Sequence, residues 1–429
     1  MEKTKFDYIF TLFFLVISAK TTFLTTFSPF WFLFSISCFG YGLYKKRIYE
    51  SDLYVFLGFL GSYLAFIIFR NLAFNHLPIN FLLSDIFFLL KFIFMAFTFC
   101  VVFKKNATSL ISEVIIKLAI LALVLYVFQI VGGGDILYKI GTTFHESIIP
   151  YPGISETYSN FFFFTYDKLH AYRNSGFVWE PGAYGCFLAI GLLFHFMNND
   201  FTFDRNAIIL SVSILTTLST TAFLSFAVIL LLYYRIKGGK LSYKMFIPVV
   251  IGIIAFFNIP FLGDKITKTY EEDVKVLDNP EEIINQIEFY EEQGILGEVK
   301  LNRFSSVIFV YRHFGAQLIL GVSNAYINLE SSIYGVEISE FNISNGIIDF
   351  IAKFGLFGFV FLLFRVGRFI YLHYPKIEYS FYVIFFVLVM NFGEPIFMIP
   401  ITLIFLFLPR FSVIEEEFEE ELNEEMEEN

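Results

Sequence analysis

The sequence predicts an all-α fold, a polytopic bundle of about twelve transmembrane helices with two large extracytoplasmic loops. Three observations predict it. The 429 residues are 57% hydrophobic and only 16% charged, with 62 Phe and 25 Tyr, a balance foreign to soluble globular domains. Apolar runs of about 15 to 25 residues recur along the chain, and a hydrocarbon core about 30 Å thick needs roughly 20 helical residues to cross it. The alternating ten-residue strands of an outer-membrane barrel are not seen.

Hydropathy places the spans at about 6–24, 26–44, 52–69, 79–103, 109–131, 177–197, 206–219, 221–235, 244–263, 343–364, 377–393 and 395–410. The N-terminus has lysines before an apolar run but no small-x-small cleavage site, so it reads as an uncleaved first span. Lys3 and Lys5, "KKR" at 45–47, Lys104 and Lys105, Arg205, "RIKGGK" at 235–240, Arg365, Arg368 and Arg410 fall on one side. The positive-inside rule makes that side cytoplasmic, with both termini inside. Residues 1–410 form the membrane domain, with outer loops at 132–176 and 264–342, where function is to be sought.

The formal charge of -10 does not describe the membrane domain. The tail, 411–429, contains "EEEFEEELNEEMEEN" with ten glutamates, and without them acidic and basic residues are equal in number. It reads as a solvated cytoplasmic end. Cys38, Cys100 and Cys186 lie singly in apolar runs, which argues against disulfides and a metal site. No Walker loop, dinucleotide fingerprint, HExxH or basic stripe is present, so neither a cofactor, a metal nor a nucleic acid is expected.

The second outer loop contains "DNPEEIINQIEFYEEQG", whose Asn279, Pro280 and Gly294 delimit a short amphipathic helix. "RFSSVIFVYRHFGAQLIL" at 303–320 reads as a surface or partly embedded helix.

The stretch "AYRNSGFVWEPGAYG" puts charge before an apolar run. Proline suits the first helical position, so the sixth helix is expected to start at Pro181, with Glu180 at its outer end and Arg173 on the incoming loop. Glu394–Pro395 is read as a repeat of this arrangement at the start of the last span. Both glutamates are candidates for chemistry, and both can equally be helix-capping carboxylates. Arg303 and Arg312 suit a lipid pyrophosphate, or else lipid headgroups and loop ion pairs. His313 reads first as a structural histidine. Asn345 and Asp349 open the tenth span; Asp349 either belongs to a site or pairs with Lys353 at i+4. Lys91 is expected to pair with Asp85 or another buried carboxylate, and Lys117 to snorkel.

Three segments resemble the O-antigen polymerase (Wzy-type) family. "YRNSGFVWEPGAYGCFLAI" is similar to its Arg, Ser-Gly, Glu-Pro-Gly segment, "NRFSSVIFVYRHFGAQLILGVS" to its second-loop arginine helix, and "FNISNGIIDFIAKFGLFGFVFLL" to the start of the following span. The resemblance runs in order over about residues 100 to 410. It implies a metal-independent glycosyltransferase joining undecaprenyl-pyrophosphate-linked oligosaccharide units at the outer face of the cytoplasmic membrane, with membrane lipids, a chain-length regulator and a flippase as partners. Related O-antigen ligases commonly have histidine before the asparagine that Asn345 matches, and here Ser344 stands there, which weakens a ligase reading. Asp349 is similar to an aspartate of the shape, elongation, division and sporulation family of polymerases, whose other signatures are not evident.

In this reading Arg173 and Arg303, helped by Arg312, hold pyrophosphate, and Glu180 is general base or acceptor ligand. His313, Asn345, Asp349 and Glu394 are assigned to substrate binding. A ligase is the runner-up. A polysaccharide or lipid transporter is the rival class, but no inverted repeat and few midplane charges support it.

Overall fold

The computed structural model describes residues 2–20, 29–148, 158–238, 277, 299–301, 303–331, 333, 335 and 337–412. The predicted span 244–263, the amphipathic helix at 279–294 and the tail beyond 412 lie outside the described residues.

The described chain is mostly helical. In order come α1 (Lys5–Ser18), α2 (Pro29–Tyr44), α3 (Glu50–Arg70) and α4 (Ile79–Phe88), which runs through a π-helical turn, Leu89–Ile93, into α5 (Phe94–Phe103). Next are α6 (Ala107–Phe128) and α7 (Gly134–Ile148), then a two-stranded antiparallel hairpin, β1 (Tyr158–Phe161) and β2 (Phe164–Asp167). After the hairpin lie α8 (Pro181–Asn198), α9 (Arg205–Thr216) and α10 (Thr220–Gly238). The short strand β3 (Val299–Leu301) precedes α11 (Arg303–Phe314) and pairs in parallel with β4 (Phe341–Ile343). Finally come α12 (Gly346–His373), α13 (Ile377–Gly393) and two short buried helices, α14 (Pro400–Leu403) and α15 (Leu408–Phe411).

Four helical stretches, Glu50–Arg70, Ile79–Thr143, Thr220–Gly238 and Gly346–His373, are long and apolar enough to cross a membrane. The second is not straight, because Lys104 (φ 44°) and Gly132 (φ 105°) break it. Large apolar side chains such as Ile36, Phe364 and Phe381 face outward, as lipid-facing residues do.

The centre of the bundle is α8, buried from Pro181 to Phe196 and packed against α6, α9 and α10. Small residues allow this close approach: a Cβ at Gly191 would lie 2.8 Å from Ile115 Cγ2, and one at Gly185 would overlap Ala222. The starts of α8, α10, α11 and α12 and the ends of α9 and α13 meet at one end of the bundle. Asn174 N–H donates to Thr216 O (3.0 Å), Arg303 reaches Gly393 O, and Gly346 packs against the backbone of Glu394. At the opposite end Arg235 pairs with Glu378 (2.6 Å) and Tyr374 OH donates to Met197 O (3.4 Å).

In α12, Gly355 (φ 73°, ψ 172°) interrupts the helical path. The break frees Ala352 O, which accepts from Val322 N–H (2.7 Å) in the turn at Gly321 (φ 76°). The two glycines meet backbone to backbone, so the Gly-Val-Ser turn of the second loop is keyed into the kink.

Several expectations are corrected. The stretch 395–410 is not one long helix: Glu394 caps the C-terminus of α13, and helix resumes only at Pro400. Pro395, Pro400 and Pro409 disfavour a continuous helix, and burial of nearly the whole segment lets irregular backbone persist away from lipid. Residues 132–176 contain α7 and the hairpin rather than loop alone. Helix α1 ends at Ser18, short of the expected 24. Asp85 pairs with Arg70, not Lys91; the Lys91 ammonium lies over Trp31 (4.8 Å) and Phe92 (5.3 Å). Lys117, expected to snorkel, is exposed, with its ammonium over the Tyr8 ring (4.3 Å).

Candidate functional site

The approach to α8 is folded by its own polar residues. Asn174 Nδ2 donates to Thr216 Oγ1 (3.0 Å), and Asn174 Oδ1 accepts from Gly176 N–H (3.0 Å). Gly176 has a left-handed backbone (φ 49°), and a Cβ there would lie 2.7 Å from Tyr184 Cδ2. Gln129 Nε2 donates to the carbonyls of Ala171 (2.6 Å) and Arg173 (3.2 Å), and Tyr126 OH to Tyr172 O (2.8 Å). Arg173 is thus held from α6 and from the end of α9, where its Nε donates to Thr217 O (3.0 Å). Its two η nitrogens make no hydrogen bond among the described residues.

Helix α8 begins at Pro181 with Glu180 in the N-cap position, as the sequence predicts. The Glu180 side chain, however, makes no capping bond; its Oε1 accepts from Trp179 Nε1 (2.8 Å). It also meets the carboxyl of Glu394, and the two share a hydrogen bond. Burial, then the hydrogen bond and charge of Glu180, pushes the Glu394 carboxyl well above the usual range, although Arg303 and Arg173 pull the other way. The buried Glu394 therefore favours its neutral form beside Glu180. Glycine is needed for this meeting: a Cβ at Gly182 would overlap Glu394 Oε1 and lie 2.7 Å from its Cδ.

Arg303 opens α11 and points to the same place. Its Nε (3.1 Å) and Nη2 (2.8 Å) donate to Gly393 O at the C-terminal end of α13, where a cation suits the helix dipole. Its Nη1 makes no hydrogen bond among the described residues. Asn345 is buried and does two things. Its Oδ1 caps α12 by accepting from Ile347 N–H (3.0 Å) and Ile348 N–H (3.3 Å), and its Nδ2 donates to Arg303 O (3.0 Å). Ser344 Oγ donates to Leu301 O (2.9 Å), so it stitches β3 to β4.

Of the eight residues singled out in the sequence, Arg173, Glu180, Arg303, Asn345 and Glu394 come together. Three do not join them. Arg312 is exposed and donates to Leu277 O (3.5 Å). His313 bridges Phe309 O (2.9 Å) and Ser331 Oγ (2.5 Å), and burial lowers its pKa, as for a structural neutral imidazole. Asp349 accepts from Lys353 Nζ (2.9 Å) and Tyr326 OH (3.1 Å), the i, i+4 pair. Trp179, Gly182 and Gly393 are additions; the tryptophan beside Glu180 and the glycine after Pro181 were visible in the motif, but their purpose needs the distant Glu394. Among the described residues no group of three or more His, Cys, Asp or Glu is arranged to hold a metal ion.

This geometry stands beside a match to a known family. Residues 206–363 match the family model Wzy_C, described as O-antigen ligase. The match includes Arg303, Asn345 and Asp349, whereas Arg173, Glu180 and Glu394 lie outside it. No curated protein and no solved structure matches the chain.

Proposed function

We propose, proceeding from the Wzy_C domain at residues 206–363 and its place in the O-antigen polymerase and ligase superfamily, that this membrane protein is a polysaccharide polymerase. It joins undecaprenyl-pyrophosphate-linked oligosaccharide units at the outer face of the bacterial cytoplasmic membrane. The observation that carries the reading is the pair of arginines. Arg173 and Arg303 come from separate loops, each is anchored through Nε on the carbonyl at or just beyond a helix end, and each has η donors to spare beside the Glu180–Glu394 pair.

Such donors suit a pyrophosphate leaving group, whose charge grows as its bond to the sugar breaks. The acceptor hydroxyl attacks the anomeric carbon, the bond from that carbon to the pyrophosphate oxygen breaks, and undecaprenyl pyrophosphate departs with the electron pair. Glu180 takes the hydroxyl proton. A neutral Glu394 limits the negative charge gathered beside Glu180 before the step.

Basic residues at the opposite end of the bundle, Arg205, Arg235 and Lys376 among them, orient this end outward by the positive-inside rule, to the face where lipid-linked units are polymerised. A metal-independent mechanism is consistent with arginine as the charge-bearing group. Chain-length regulator and flippase proteins are the partners this activity would need.

Ligase activity is the second reading, favoured by the description of the matching family. Deletion of the gene separates the two: single repeat units accumulate on lipid if the protein is a polymerase, and long lipid-linked chains if it is a ligase. Arg173→Ala and Glu180→Gln, introduced into the cell, are expected to abolish long surface polysaccharide while the protein remains inserted. Wild-type chain-length distributions in both would overturn the assigned roles.

A further inference from the structure

A buried ion pair fastens the second loop to the first part of the chain. Arg70, the last residue of α3, and Asp85, on α4, are each 1% exposed, and Arg70 Nη2 donates to Asp85 Oδ2. Both groups also reach the second loop or α12. Asp85 Oδ1 accepts from Asn324 N–H (2.6 Å), and Ser323 Oγ is 3.3 Å from each carboxylate oxygen. Arg70 Nη1 donates to Lys353 O (2.7 Å), at the break in α12. Beside the pair, Asn75 Nδ2 donates to Gly321 O (3.1 Å) and Val322 O (3.0 Å), and Asn324 Nδ2 to Ser84 Oγ (3.2 Å).

A buried ion pair gains little over well-packed apolar side chains, so it is weak evidence of a stabilising role alone. Here the remaining hydrogen bonds of both partners go to one target, the turn at 321–324 and the interrupted carbonyls of α12. The non-helical Gly355 leaves Ala352 O and Lys353 O without the amide donors of a continuous helix. Val322 N–H takes the first (2.7 Å) and Arg70 the second. A guanidinium at the carbonyl end of a helical segment also suits its dipole.

The outer segment of α12, residues 346–354, is therefore held at both ends. At its start Asn345 caps it and donates to Arg303 O (3.0 Å), and Gly346 rests on the backbone of Glu394. The turn at 321–324 holds the loop from the other direction, since α11 begins at Arg303 and leads through a 3₁₀ turn, Gly315–Ile319, into it. Arg303 is thus tied, through this segment and through α11, to side chains on α3 and α4. Those side chains precede the matched residues 206–363.

We propose that Arg70 and Asp85 are positioning residues for Arg303. By fixing the break in α12 and the turn at 321–324, they set where the Arg303 guanidinium meets pyrophosphate. The inference rests on the reading of Arg303 as a phosphate ligand.

The test is the Kd for undecaprenyl pyrophosphate of the purified full-length chain in phosphatidylcholine nanodiscs, with the unfolding temperature measured beside it. Arg70→Met/Asp85→Leu removes both charges together and leaves no buried charge unpaired, so the unfolding temperature is expected to stay near that of the wild type. Its Kd is expected to rise about tenfold, as is that of Arg303→Gln. The combined variant separates positioning from support of the bundle. If the pair acts through Arg303, adding its substitutions to Arg303→Gln changes Kd by less than about twofold, whereas independent effects multiply to about a hundredfold. Asn75→Leu removes the donors to Gly321 O and Val322 O with the ion pair intact, and carries the same test where the pair variant is lost from the membrane. Its Kd is expected to rise about fivefold, and only while Arg303 is present. A wild-type Kd in folded Arg70→Met/Asp85→Leu or in Asn75→Leu, or losses that multiply with that of Arg303→Gln, overturns the inference. A wild-type Kd in Arg303→Gln overturns instead the phosphate reading of Arg303 on which it rests.

Discussion

The carboxyl of Glu394, at the C-terminus of α13, lies against Gly182, the second residue of α8, so closely that position 182 has no room for a Cβ. This contact brings Glu394 to Glu180 and fixes the pair at one helix start. Gly182→Ala is therefore expected to push the carboxyls apart. Glycosyl transfer should fall steeply, with an overpacking cost of about 1–3 kcal/mol read as a lowered unfolding temperature. Unchanged turnover in this variant would mean that the pairing is irrelevant to activity.

The raised pKa of Glu394 gives a pH dependence of known sign. The folded state binds a proton more tightly than the unfolded chain does. Its stabilising contribution is complete below the ordinary glutamate value and is lost as pH rises through the raised one. Activity is expected to fall over the same rise, as Glu394 ionises beside Glu180. Glu394→Gln, which keeps a hydrogen-bond donor and cannot ionise, should flatten this alkaline limb in a rate–pH profile, whereas Glu180→Gln should abolish the rate at every pH.

Arginine geometry should matter beyond charge. Arg303→Lys keeps a cation but loses the fork that grips Gly393 O while presenting Nη1. Donor binding is expected to weaken about tenfold to a hundredfold, measured as a rise in Kd for undecaprenyl pyrophosphate. A Kd equal to that of the wild type would count against a role for Arg303 at phosphate.

Asn345 can be dissected by substitution. Asn345→Asp retains the oxygen that caps α12 but not the donor to Arg303 O, while Asn345→Ala loses both. The alanine variant should lose about 1 kcal/mol of stability from the missing cap. Both should lose activity, since Arg303 depends on the donor. Full activity in Asn345→Asp would reduce Asn345 to a cap.

Gly321→Ala and Gly355→Ala test the keyed turn. Each glycine has a left-handed backbone and a backbone neighbour where a Cβ would go, 2.8 Å from Phe354 C at position 321 and 2.5 Å from Ile319 O at position 355. Either substitution should cost at least about 1–3 kcal/mol in thermal unfolding. A shift smaller than that of a surface Gly→Ala control would contradict the keyed arrangement.

How much was legible in the sequence depended on whether the cause was local. Pro181 marked a helix start because proline fixes φ and lacks the N–H that a first turn does not use. The Asp349–Lys353 pair followed from helical spacing alone. The meeting of Glu180 with Glu394 was hidden, because it arises from packing between helices far apart in sequence and depends on an absent Cβ at Gly182. Glu394 was misread as opening a span because hydropathy records composition, and the buried irregular segment after it is as apolar as a membrane helix. His313 kept its structural reading.

The most direct measurement is turnover by purified protein of a synthetic undecaprenyl-pyrophosphate-linked repeat unit, with release of undecaprenyl pyrophosphate followed alongside product length. The account predicts multimers and stoichiometric release by the wild type, and unaltered substrate binding with neither product for Glu180→Gln. A Glu180→Gln variant that forms multimers at the wild-type rate would contradict it.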